Sequence, residues 1–213
     1  MVANGNATGE AVISTSPERF LKMSANKRIE TRPIKGTRPR NQNPSKDYAL
    51  AAELISSTKD RAENIMIVDL LRNDLGKVCQ PGTIEVTQLV GLETYAQVHH
   101  LTSVITGTLR TESTWVDLLE AWWPGGSITG APKIRACERL YEFEPIARGP
   151  YCGSFLHLDW DGKFDSNILI RTLLMEQSTL RLHAGCGIVA DSNPINEAEE
   201  LHWKLIPLLE ALI

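Results

Sequence analysis

The sequence predicts an α+β fold, with mixed or antiparallel β-sheets flanked by helices. Strand-like segments rich in Val, Ile, Thr and Leu gather toward both ends of the chain, and the clearest helical periodicity lies between them. The two kinds of segment do not alternate regularly, as the strands and helices of a parallel sheet would.

The elements can be taken in order. Residues 1–11 open on MVANGNATGE, a polar tract read as a linker or an added start, and 12–213 read as one domain. From Ala11 to Arg40 the chain reads strand, turn, strand, turn, strand, with Ser16-Pro17 and Ala25-Asn26 at the turns. RPRNQNPSK reads as a polar loop. A helix then follows, with Ser45 or Asp47 as its cap and Tyr48, Leu50, Leu54 and Ile55 at helical spacing. A second helix is expected from Thr58–Asp60 to a stop at Gly76, burying a stripe of Ile65, Val68, Leu71 and Leu75. Residues 83–110 read as strands. Thr114 caps a helix through VDLLEAWW, whose Trp122-Trp123 pair is assigned to the core. PGGSITGAPK reads as a Gly-rich loop entering a helix at Pro132. Three or four strands are expected between Tyr151 and Val189, with a turn at Asp161-Gly162, and then a final amphipathic helix from about Pro194.

Composition narrows the function classes. Hydrophobic residues are 42% and charged residues 23% of the 213, which suits a folded domain and not a disordered one. The net charge of -4 supplies no basic footprint for nucleic acid. No apolar run approaches the ~18 residues of a membrane helix. The four cysteines are widely spaced, without a CxxC pair, and read as free thiols of a cytoplasmic protein.

Several residues have the chemistry of a site. Glu197 and Glu200 are three apart on the last helix and share a face, as do Asp60 and Glu63 on the second. Two such pairs offer oxygen ligands to a hard cation such as Mg²⁺, and the same spacing also describes solvated surface acids. Lys35 sits among Arg32, Arg38 and Arg40. Crowded like charge favours the neutral amine that a nucleophile or base needs, although on spacing alone an exposed basic turn is the more ordinary reading, and phosphate binding is a further one. PGGSITGAPK presents backbone amides at a helix start, an anion site by construction, but it does not match a Walker loop. AGCGIV brings further amides into a Gly-rich strand, which is read either as a ligand contact or as close packing.

Taken together, the ordered segments SPERF, PIKGTRPR, AENIMIVDLLRNDLG, HLTS, GGSITGAPK, GPYCG, AGCGIVADS and EAEELHWK resemble the chorismate-utilising enzyme family from about Ser16 to the end. Lysine in PIKGT resembles the members that form 4-amino-4-deoxychorismate, where anthranilate synthase component I typically has alanine. The resemblance implies an anthranilate synthase component I-like fold and Mg²⁺-dependent amination of chorismate with ammonia, supplied by a separate glutamine amidotransferase subunit. It implies that Glu63 and Glu200 bind Mg²⁺, with Glu197 and Asp60 adjacent. Glu18 is the implied general acid and Lys35 the implied nucleophile. Tyr151, Arg171 and the amides around Gly185 and Gly187 would hold one carboxylate of chorismate. Gly36, Thr37, His100 and Lys204 would line the other. Members of the family are longer at the N-terminus, so the resemblance also implies a C-terminal catalytic part whose scaffold is incomplete, with a missing half or a homo-oligomer to complete it. A catalytically silent fragment that assembles with a partner is the reading of another class.

Overall fold

A computed structural model describes residues 2–4 and 10–212. The chain opens with strands β1 (Val2–Asn4), β2 (Glu10–Ser14), β3 (Arg19–Met23), β4 (Arg28–Thr31) and β5 (Ile34–Pro39). Helices α1 (Pro44–Ser56) and α2 (Thr58–Gly76) follow, then β6 (Glu85–Thr94) and β7 (Val98–Thr108). Next come α3 (Trp115–Trp122), the single turn α4 (Gly126–Thr129) and α5 (Lys133–Phe143). Strands β8 (Leu156–Leu158), β9 (Phe164–Asn167), β10 (Thr172–Glu176) and β11 (Thr179–Leu182) lead to α6 (Pro194–Glu210). The α+β class holds, and every strand pair among the described residues is antiparallel.

The opening tract is not wholly a linker. β1 pairs with β2, Val2 opposite Ile13 and Asn4 opposite Ala11, and β2 itself starts at Glu10, before the expected boundary. The ladder bonds of β2 supply what the polar sequence does not advertise. β1, β2, β10 and β11 make a four-stranded sheet, and the other seven strands make a second.

β7 is the axis of the larger sheet. β6 runs along one edge; the other edge is shared, with β5 opposite Val98–Thr102 and β4 opposite Ile105–Thr108. Pro33 breaks what would be one strand, and its carbonyl still accepts the Ser103 amide. Nine consecutive residues of β7 are buried, so both faces of this strand are covered. Leu101, Ser103 and Ile105 face α1 and α2; Asn64 of α2, fully buried, donates to the Leu101 carbonyl (3.2 Å) and accepts from the Ser103 hydroxyl. The main core lies between this face, α2 and α3, and includes Ile67, Val68, Leu71, Leu75, Ile105, Leu118 and Trp122. Each such side chain contributes about 1.5–3 kcal/mol on burial. The opposite face of the sheet looks into a cavity of about 450 Å³, lined by Glu18, Arg32, Glu93, Tyr95, Thr102, Phe155 and Asn167 among others.

The helix boundaries follow their caps. Asn43, and not Ser45 or Asp47, caps α1, accepting from the Ser45 and Lys46 amides. Asp47 is drawn off by Arg40, the Asn41 amide and His99. Tyr48 and Ile55 are exposed, and Ala51 and Leu54 carry the burial of α1. On α2, Ile65 is exposed (39%) and Asn64 and Ile67 take its place inside. Thr114 caps α3 as expected, and Asp117 completes a capping box with it. Trp122 is fully buried, whereas Trp123 lies just beyond the end of α3 and is 44% exposed. No helix among the described residues is long and apolar enough to cross a membrane.

Candidate active site

A bulge in β5 aims the lysine. In the ladder with β7, Lys35 faces Leu101 and Thr37 faces His100, so Gly36 is the extra residue. Gly36 has φ +80°, and a Cβ there would come within 2.9 Å of Asp60 Cβ and Leu54 Cδ1. Only glycine permits both the left-handed backbone and this approach to α1 and α2. The bulge sets Lys35 toward α2, and the hydroxyl of Thr37 lies 2.8 Å from His100 Nδ1. Burial lowers the His100 pKa, which favours the neutral ring, and Arg171 is among the charges that reinforce this.

The Gly-rich segment 184–189 closes over this lysine. A Cβ on Gly187 would lie 3.5 Å from Lys35 Nζ and 3.8 Å from Glu63 Oε2. One on Gly185 would lie 2.9 Å from the Tyr151 hydroxyl, whose ring is 5.4 Å from that of His183. The missing side chain at Gly187 therefore leaves space beside Lys35 Nζ and the Glu63 carboxylate, whereas at Gly185 the Tyr151 hydroxyl takes up the position a Cβ would need. Glu18 is close enough to Lys35 to feel its charge. Burial pushes its carboxyl above the ordinary range, opposed by a hydrogen bond from Ser127 and by the charge of Lys35. Glu63 is likewise raised by burial, against the pull of Lys35 and Lys59.

The acids of α6 lie beside this group. Glu197 is buried and paired with Lys59 of α2 at 2.9 Å. Burial raises its carboxyl, but the bonds from Lys59 and Ser192 prevail and hold it below its ordinary value. Glu200 pairs with Lys204 at 2.6 Å, and Lys204 also donates to the Gly185 carbonyl (3.1 Å). Cys186 Sγ and one carboxylate oxygen each from Glu197 and Glu200 lie within 4.8 Å of one another. Asp60 is engaged by Arg38 at 3.5 Å and adds to the charge felt by Glu63. Carboxylates of this kind are hard oxygen donors and fit Mg²⁺, which takes a few acids and completes its shell with water or substrate.

These segments, and the helices and sheets that hold them together, can be compared with known proteins. Residues 3–210 match the family described as chorismate binding enzyme. The chain belongs to that family. It is 50% identical over 202 residues to aminodeoxychorismate synthase component 1 of Salmonella typhimurium, covering 95% of this chain and 44% of that protein. It is 49% identical over 201 residues to an anthranilate synthase component I-like protein of Synechocystis, covering 94% of this chain and 41% of that one. Among solved structures, anthranilate synthase component I from Streptococcus pneumoniae superposes with a TM-score of 0.84 at 37% identity, covering 96% of this chain and 45% of that one. The chain thus spans less than half the length of the curated relatives it matches.

Within this family fold, several residues occupy roles that their sequence context does not suggest. The arginines around Lys35 do not crowd it. Arg32 is matched to Glu93, Arg38 to Glu53 and Asp60, and Arg40 to Asp47. The charged neighbours of Lys35 are instead Glu18 and Glu63. Pro132 precedes the first turn of α5 rather than occupying it. Lys133 of the Gly-rich loop turns inward, donating to Asp74 (2.6 Å) and to the Trp122 carbonyl (2.9 Å), so its charge is not free for an anion. Arg171 sits at φ 49°, its carbonyl accepting from the Thr15 amide and hydroxyl, while burial lowers the pKa of its guanidinium. Lys59 and Ser127 escape the sequence reading, and Cys186 enters it only as a member of AGCGIV. Lys59 is one turn before Glu63, a spacing that suggests an intrahelical pair, yet its nitrogen bridges to Glu197 of another helix.

Proposed function

We propose that this chain carries the chemistry of an aminodeoxychorismate synthase, converting chorismate and ammonia to 4-amino-4-deoxychorismate. The observation that supports it best is the space at Gly187, bounded by Lys35 Nζ and Glu63 Oε2. A substrate carbon about 3–3.5 Å from an amine is in attacking position.

In this reading Lys35 attacks C2 of the ring as the C4 hydroxyl departs. Hydroxide is a poor leaving group, and Glu18, whose proton burial holds more tightly than usual, donates the proton that lets it leave as water. The lysine attacks as the neutral amine and passes one proton to water as its bond to C2 forms. Ammonia then adds at C4 and loses a proton, the ring double bonds shift back, and the C2–N bond breaks with its electron pair passing to the lysine nitrogen, which departs as the amine and takes up a proton. Tyr151, Arg171 and the amides around Gly185 and Gly187 hold the enolpyruvyl carboxylate, Arg171 with two parallel hydrogen bonds. Gly36, Thr37, His100 and Lys204 line the ring-carboxylate side. Glu63 and Glu200, with Glu197 and Asp60 beside them, would hold Mg²⁺, which supplies Lewis-acid charge to the ring carboxylate when bound. A glutamine amidotransferase subunit is the source of ammonia, and the remaining half of the family fold, or a second copy, completes the scaffold. The setting is cytoplasmic.

A second reading, anthranilate synthase component I, is favoured by the identity to the Synechocystis protein. There Lys35 is incidental. The test is turnover of chorismate with ammonium and Mg²⁺, followed by mass spectrometry of products and protein, for the wild type and Lys35→Ala. Aminodeoxychorismate from the wild type and a loss of about 10²-fold or more in the variant are expected. Anthranilate from both proteins would move the chain to the second reading.

A further inference from the structure

The thiol of Cys186 has no part in the chemistry above, yet it points into the same acid cluster. We propose that Cys186, Glu197 and Glu200 form a mixed thiolate–carboxylate site for a thiophilic divalent cation of the zinc class. The proposal rests on the reading of these acids as a cation site, and not on the reaction with chorismate.

Three features carry it. The first is convergence: Sγ and the two carboxylate oxygens lie within 4.8 Å of one another. Zinc bonds of about 2.3 Å to sulfur and 2.0–2.2 Å to oxygen place tetrahedral ligand atoms about 3.5 Å apart, so the cluster needs a contraction of roughly 1 Å. The second is that two of the three ligands are already held. Glu197 is 8% exposed and fixed by Lys59, and the Cys186 thiol donates to the Glu197 carbonyl at 3.4 Å. Glu200 is on the exposed side of α6, and its side chain can swing to close the set.

The third is that a cation already sits there. The ammonium of Lys204 lies 2.6 Å from Glu200 Oε1, 3.1 Å from the Gly185 carbonyl and 3.7 Å from Cys186 Sγ. It marks a position with the field and the donors that a positive ion needs. A divalent ion entering there displaces Lys204 toward solvent. The sulfur–metal bond forms as the thiol proton passes to water, and one thiolate with two carboxylates more than neutralises the ion. Magnesium gains little from sulfur, whereas zinc and cadmium gain much. The same acids can therefore serve a hard ion by oxygen alone, or be captured by a soft one through Cys186. Capture removes Glu197 and Glu200 from the hard ion, which makes the cluster a point of inhibition by zinc.

Cadmium is the probe. The wild-type chain is titrated with Cd²⁺ in the absence of chorismate, and the thiolate-to-cadmium charge-transfer absorption is followed. A saturable band is expected in the wild type. It should be lost in Cys186→Ser and kept in Cys137→Ser, which alters the other partly exposed cysteine. Glu197→Gln should weaken cadmium binding at least about tenfold, since even an outer-shell partner is worth about 10–100-fold in metal affinity. A band that survives Cys186→Ser, or no band in the wild type, overturns the proposal. Chorismate binding with Mg²⁺ alone, measured separately, decides the functional reading, so either can fail without the other.

Discussion

Replacing Gly187 by alanine separates the chemistry of the site from the stability of the fold. The added Cβ lies 3.5 Å from Lys35 Nζ and 3.8 Å from Glu63 Oε2, both ordinary van der Waals separations, so nothing in the empty protein must move. Gly187 is not among the residues with positive φ, so alanine is not strained there. Such a change removes freedom from the unfolded chain and stabilises by about 0.4–1 kcal/mol. For a domain of this size that raises Tm by about 1–4 °C. Yet 3.5 Å from Nζ is where a reacting carbon must stand, and the methyl group takes that place. A displacement of about 1 Å costs about 10²-fold in rate. The expected result is a variant at least as stable as the wild type by thermal unfolding, with chorismate affinity by calorimetry down at least tenfold (about 1.4 kcal/mol) and turnover down about 10²-fold. A folded Gly187→Ala protein that binds and turns over chorismate within twofold of the wild type would refute the placement of substrate between Lys35 and Glu63.

Two further outcomes follow from groups behind the site. Asp74 is 1% exposed and accepts from Lys133 at 2.6 Å and Lys77 at 2.8 Å. Removing one partner of a buried pair costs about 3–5 kcal/mol; with Lys77 still present, Lys133→Met should cost about 2–3 kcal/mol and lower Tm by about 4–12 °C, and a fall of under 2 °C would show that the Gly-rich loop is not anchored this way. Glu18 has its pKa raised by burial, so its contribution is fully present below the unfolded value near 4.5 and is lost as pH rises through the folded value. Glu18→Gln has no such loss, so its Tm should gain on that of the wild type between about pH 4.5 and pH 8 while turnover falls; a constant difference across that range would argue against the raised pKa.

Local signals in the sequence were the ones that translated directly. The Thr114 cap and the Asp161-Gly162 turn satisfy backbone groups within a few residues, so their outcome needs no tertiary information; α2 does end at Gly76, but it is the Lys77 amide that closes it, with Gly76 in helical conformation. The acid spacing on α6 was legible for the same reason. What was not legible depended on partners far along the chain. Ile65 and Asn64 exchange their expected places because Asn64 finds the Ser103 hydroxyl and the Leu101 carbonyl across the sheet, and a polar side chain so paired can be buried. The arginines flanking Lys35 looked like a crowd of charge because Glu93, Glu53 and Asp47 were out of sight in the sequence. The lysine that ends PGGSITGAPK, Lys133, is held by Asp74 on another helix, a pairing with nothing local to announce it. Trp123 falls beyond the last turn of α3, where the helical period no longer predicts a face.

One helix does two jobs. The stripe of Ile67, Val68, Leu71 and Leu75 seats α2 in the main core, and Asp60 and Glu63 of the same helix reach the candidate site. The core therefore acts as the bearing of a shaft whose other end carries the acid. Side-chain tips stand about 6 Å from a helix axis, so turning α2 by about 10° moves the Glu63 carboxylate about 1 Å. A conservative swap at Leu71, two turns from Glu63, can thus leave the fold intact and still detune the acid, so that repacking this core and tuning this chemistry are one design problem.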